Sequence, residues 1–178
     1  LFGFDGALMK YYVSSKKVIE KQTYLTNTYI WVLCFSLVLL LLLIAFKEVL
    51  AIYVIAGHDP SLIIKIAFIL FFDALRAIHM LILRAENRAV HFTLIMVADI
   101  FLLTSLNIYF VGVQGSGIDG VIYANFLSSI IIFIASFPII FNRFRFPLIS
   151  ASRWIRLRSF ALPLMPAGLF WMILEFAD

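Results

Sequence analysis

The chain has 178 residues, of which 64% are hydrophobic and only 13% charged, and its mean hydropathy is +1.07. A soluble domain of this size needs a polar shell over its core; the polar residues here are too few, and too confined to short clusters between apolar runs, so the bilayer must be the solvent. The net charge of +4 does not point to nucleic acid, because the basic residues fall between the apolar segments rather than along one amphipathic face.

In chain order, Leu1 to Val13 reads as the end of a helix, with Phe2-Gly3-Phe4 leading into Met9-Lys10-Tyr11-Tyr12. Four complete spans of about 20 apolar residues follow. They run from Thr28 to Phe46, with apolar character continuing past Lys47 and Glu48 to Ile55, then Leu62 to Leu83, Val90 to Val111 and Gly120 to Phe141. Ser159 to Asp178 begins another. Since Leu1 is not an initiator and the last apolar run is still in progress at Asp178, the sequence is expected to be an internal piece of a longer protein. Cys34 lies inside the first span as a small packing residue.

The connections alternate in charge. Lys10, Lys16, Lys17 and Lys21 precede the first span, Arg84 and Arg88 separate the second from the third, and Arg143, Arg145, Arg153, Arg156 and Arg158 follow the fourth. Gly57-His58-Asp59-Pro60-Ser61 and Gly112 to Asp119 carry no Lys or Arg. Short basic connections stay in the cytoplasm, so the first three segments are expected inside and the other two outside. Between Asn142 and Arg158, arginines alternate with Leu148, Ile149, Trp154, Ile155 and Leu157. This pattern suits a helix lying in the cytoplasmic interface, with Trp154 at headgroup depth.

No His or Cys cluster has metal-ligand spacing, and neither a phosphate loop nor a nucleophile elbow is present. Gly115-Ser116-Gly117 with Gly120 follows a span rather than a Rossmann strand and reads as a tight external loop. The chain is therefore not expected to be an enzyme. Lys47, Glu48 and Lys65 lie near span ends, where they can snorkel. Gly120, Ala124 and Ser128, spaced by four, offer a small face for close helix contact.

Polar residues at membrane depth carry the functional expectation. The second span has Asp73, Arg76 and His79 at intervals of three, on one side of a helix; the third has Asp99 and Asn107, and the fourth Asn125, Ser128 and Ser129. Two readings stand. Either these groups satisfy one another within the bundle, or they line a hydrated cavity in which Arg76, His79 and Asn125 meet an anionic head group and Asp73 or Asp99 binds a proton or cation. Pro163 and Pro166 each remove a helical hydrogen bond and should break the last helix, a feature tolerated where protein or cavity water satisfies the freed carbonyls. Pro138 should kink the fourth span.

Phe160-Ala161-Leu162-Pro163-Leu164-Met165-Pro166-Ala167 resembles the seventh-helix motif of polysaccharide biosynthesis membrane proteins. These are the O-antigen and teichoic-acid flippases of the multidrug/oligosaccharidyl-lipid/polysaccharide exporter superfamily. Leu83-Arg84-Ala85-Glu86-Asn87-Arg88 and Gly117-Ile118-Asp119-Gly120-Val121 match in order and spacing, while Ala161 stands where the family usually has Gly. The resemblance implies an all-α polytopic transmembrane bundle. In it, residues 1–141 supply the end of the second helix through the sixth, 142–158 a cytoplasmic linker, and 159–178 the first helix of a second lobe. It implies alternating access and export of an undecaprenyl-diphosphate-linked oligosaccharide across the cytoplasmic (inner) membrane of a bacterium or archaeon. Proton or sodium coupling would replace any cofactor, and a polysaccharide polymerase and glycosyltransferases would be partners. A multidrug exporter of the same superfamily and a membrane-embedded polysaccharide enzyme are the rival expectations.

Overall fold

A computed structural model describes residues 4–54, 59–141, 143, 155 and 157–160. In order the helices are α1 (Phe4–Ser14), α2 (Val18–Ala45), α3 (Lys47–Val54), α4 (Ser61–Ala85), α5 (Ala89–Asn107) and α6 (Gly117–Phe141), with α5 prolonged by a π-helical turn over Ile108–Val113. Strands are absent among the described residues. Four helical stretches, Val18–Ala45, Ser61–Ala85, Ala89–Val113 and Gly117–Phe141, are long and apolar enough to cross a membrane. At 1.5 Å per residue, even the 25-residue stretches reach roughly 37 Å, beyond the ~30 Å hydrocarbon layer. The chain is an all-α membrane-helix bundle.

α4 is the centre of the bundle and touches α1, α2, α3, α5 and α6. Its core partners lie toward one end: Ala7, Leu8 and Tyr12 of α1, Tyr24, Leu25, Tyr29 and Val32 of α2, Leu75, Ile78 and Ile82 of α4, and Ile140 of α6 form one buried cluster. α5 contributes no buried residue. Its place is therefore at the rim, against α4 and α6, with Val97, Ile100 and Phe101 turned outward.

The helix ends follow local chemistry. α4 starts where Asp59 accepts hydrogen bonds from the Ser61 amide at 2.9 Å and the Ser61 hydroxyl at 2.7 Å. These bonds, the hydroxyl's first and the amide's second, hold the Asp59 carboxyl below its ordinary value. α4 ends with Asn87 at φ 55°, while the amides of Asn87 and Arg88 reach back to the carbonyls of Arg84 and Leu83 at 3.0 and 2.9 Å. That pair of reversed bonds is a Schellman closure with Asn in the left-handed position.

Two boundaries differ from the sequence expectation. α2 begins at Val18, ten residues before Thr28, because Thr23 to Tyr29 are all buried; packing on every side sustains a helix that composition alone reads as polar. The apolar run past Phe46 is a separate helix, α3, after a break at Phe46. Pro138 lies inside α6, which continues to Phe141. The small face on α6 packs closely: Ala124 and Ser128 are buried, and a Cβ on Gly120 would stand 3.1 Å from the Phe110 backbone. Pro163, Pro166, Trp154 and most of the 142–158 segment lie outside the described residues, as do Gly57 and His58.

Candidate functional site

An Asp or Arg left unpaired at the middle of a spanning helix costs about 2.5–3.5 kcal/mol on insertion scales. The placement of Asp73, Arg76 and Asp99 is therefore decided by their partners. Arg76 lies one helical turn after Asp73 and reaches its carboxylate at 3.4 Å; it also forms a close ion pair, Nη1 to Oδ2, with Asp99 of α5. α6 supplies two hydroxyls to the same acids. Ser128 donates to Asp99 and Ser129 to Asp73, each at 3.0 Å. Three helices thus meet in one polar knot, and the two serines noted at membrane depth in the fourth span are the groups that α6 brings to it.

The knot is not sealed. A cleft of about 360 Å³ lies beside it, lined by Asp73, Arg76 and Asp99, with Asp5 of α1, Met80 and Arg84 of α4, and Met96 of α5. This is within the ~300–1,000 Å³ range of small-molecule sites. About a fifth of the Arg76 and Asp99 side chains and 38% of the Asp73 side chain stay exposed. Two carboxylates against one guanidinium leave the knot with net charge −1, and Asp5 with Arg84 adds one charge of each sign. Arg76 is consequently a neutralised cation and offers little free charge to an anion.

Arg84 is different. It is exposed, stacks its guanidinium on Phe92 at 4.8 Å, and has no acidic partner among the described residues. Eleven positions beyond Asp73, roughly 16 Å along the helix, it marks the basic end of the cleft.

His79 and Asn125 do not join this site. His79 is fully buried, its Nδ1 2.7 Å from Ser136 Oγ, with its ring stacked against Tyr29 and Phe133 at 5.9 and 5.4 Å. A spacing of three carries successive residues gradually around a helix, so the stripe that starts in the cleft at Asp73 ends in the α2/α4/α6 core at His79. Its Nε2 finds no partner among the described residues. Asn125 donates to the carbonyl of Val121 in its own helix at 2.9 Å, and Asn107 does the same to Leu103. Both amides are satisfied locally.

Glu86 was not singled out by its sequence position. Arg143 grips it with two bonds, Nε to Oε1 at 2.7 Å and Nη2 to Oε2 at 2.5 Å, Tyr12 donates to Oε1 at 2.9 Å, and Arg88 approaches at 3.2 Å. A lone acid between basic segments was the available signal. Around it Tyr11 stacks on Tyr24, and Lys10 stands 4.0 Å over the Phe160 ring. The basic segments therefore gather at one end of the bundle, while Lys65, 3.3 Å from the Ser61 hydroxyl and 4.2 Å over the Tyr123 ring, belongs to the other.

No family model, curated protein or solved structure matches this chain.

Proposed function

We propose that the chain belongs to a membrane carrier that exports an undecaprenyl-diphosphate-linked oligosaccharide across the cytoplasmic membrane of a bacterium or archaeon for cell-surface polysaccharide. The observation that carries this reading is the open cleft beside Asp73, Arg76 and Asp99. Ionised groups paired for structure alone gain nothing from a wet cavity, whereas a carrier needs one at membrane depth. The motif resemblance supplies the cargo class, and the basic end, taken as cytoplasmic, supplies the direction.

Within that reading the knot is the coupling element. Its surplus negative charge suits one proton or one sodium ion, and Arg76 serves as the tethered counter-ion of both acids. The diphosphate is assigned to Arg84, which stands at the basic end of the cleft with no ion-pair partner among the described residues. The same net charge of −1 favours one rival, an exporter of organic cations, in which Asp73 and Asp99 would hold the cargo itself.

Transport by the full-length protein in proteoliposomes, with a fluorescent polyprenyl-diphosphate sugar and with ethidium, tests the proposal. Loss of lipid-diphosphate transport in both Arg76→Ala and Arg84→Ala, with insertion and yield intact, is expected. Undiminished lipid transport in both variants contradicts the proposal, and ethidium export abolished by Asp99→Asn establishes the rival.

A further inference from the structure

The end of the bundle opposite Glu86 carries a second cavity, of about 390 Å³, lined by Phe110, Gln114, Ser116, Asp119 and Tyr123. Its shape comes from the π-helical turn. There the Gln114 amide reaches the Tyr109 carbonyl at 3.0 Å and the Ser116 amide reaches that of Phe110 at 3.1 Å, longer loops than an α-helix closes. Gly115 and Gly117, at φ 67° and 54°, then turn the chain into α6. Gly120 lets the Phe110 backbone approach α6. As a result the Phe110 and Tyr123 rings stand 6.1 Å apart, centre to centre, with an amide, a hydroxyl and a carboxylate around the same hollow.

An aromatic belt at the membrane surface accounts for rings at this level. It does not account for three polar side chains gathered around the same space. The charges nearby select the ligand. The Lys65 ammonium, 4.2 Å over the Tyr123 ring, already occupies the cation-attracting π-face and repels a second cation. Asp119 repels anions. What remains is a neutral molecule with an apolar C–H face for the rings and hydroxyl groups for Gln114, Ser116 and Asp119. A hexopyranose ring has both.

We infer that the Phe110/Tyr123 hollow is a binding site for a neutral hexose unit, placed where glycan leaves the carrier. The geometry stands by itself; the role in cargo release rests on the transport reading above.

The test is saturation-transfer NMR on the full-length protein in nanodiscs, with methyl glucoside, galactoside and mannoside as probes and benzyltrimethylammonium as a cationic competitor. Saturation of the ring protons of at least one hexoside is expected. Its affinity should weaken about fivefold to tenfold in Gln114→Ala and Asp119→Asn, the loss of one hydrogen bond each, and it should be indifferent to the competitor. Both positions are exposed, so these variants test the site without burdening the fold, and Tyr123→Ala adds removal of the ring. Absence of saturation, saturation unchanged in all three variants, or displacement by the cation overturns the site. Arg76-dependent transport without hexoside binding would remove this inference alone. Hexoside binding with no transport would remove the transport reading and leave the site.

Discussion

Arg143 and Glu86, 57 residues apart in the chain, form a two-pronged ion pair at 2.7 and 2.5 Å that ties the segment after α6 to the end of α4. Tyr12 adds α1 to the same carboxylate. Both charged side chains are only about one-fifth exposed, so solvent does little to replace a lost partner. Glu86→Gln should destabilise the bundle by about 2–3 kcal/mol, less than the ~3–5 kcal/mol for breaking a fully buried pair because some exposure remains. Thermal unfolding in detergent checks this, and Glu86→Asp should recover only part of the loss because its shorter side chain cannot hold both prongs.

Close helix contact gives a second expectation. A methyl group at Gly120 meets the Phe110 backbone at 3.1 Å, whereas one at Gly112 meets nothing within 4 Å. Backbone does not swing aside as a flexible side chain does. Gly120→Ala should therefore cost about 1–2 kcal/mol and Gly112→Ala should be silent, both read as the midpoint of thermal unfolding.

At the start of α4, acid should act through Asp59. Its carboxyl titrates below the ordinary 3.8 because the Ser61 hydroxyl and amide bond its charged form. A depressed value in the folded state means that the contribution is present above 3.8 and is lost as pH falls through the folded-state value. Hydrogen exchange at the Ser61 and Leu62 amides should accelerate, relative to Ala74 in mid-helix, only below that threshold. Asp59→Asn should remove this pH dependence.

Much of the architecture was legible because lipid imposes one simple demand, a long run of apolar residues, and the runs from Leu62, Val90 and Gly120 are the helices α4, α5 and α6 to within a few residues. The early start of α2 was hidden in Thr23, Thr26, Asn27 and Thr28, whose burial depends on neighbours distant in sequence. Asp73, Arg76 and Asp99 stood out by their cost in hydrocarbon, and the spacing of three already put Arg76 within reach of Asp73, but the contact of Arg76 with Asp99 could not be read from spacing. That contact needs α5 beside α4, and it leaves Arg76 paired with two carboxylates. His79 shared the same pattern of three and lies in the core. Asn125 carried an amide that its own helix satisfies. Ser128 and Ser129 were visible as polar residues of the fourth span, but their bonds to Asp99 and Asp73, like the grip of Arg143 on Glu86, depend on tertiary neighbours and could not be read from composition.

The carrier reading requires that water reach the charged knot of α4, α5 and α6 through the cleft that α1, α4 and α5 line. Cysteine labelling of the full-length protein in native membranes tests it most directly. The Cys34→Ser background removes the single cysteine of this chain, any others outside it being replaced likewise, and a single cysteine is then placed at Met80 or Met96 in the cleft or at Phe101 on the outer face of α5. A charged, water-soluble maleimide should label the cysteines at 80 and 96 and spare the one at 101. Equal protection at all three positions would mean that the ion pairs are dry, and the carrier account would fail.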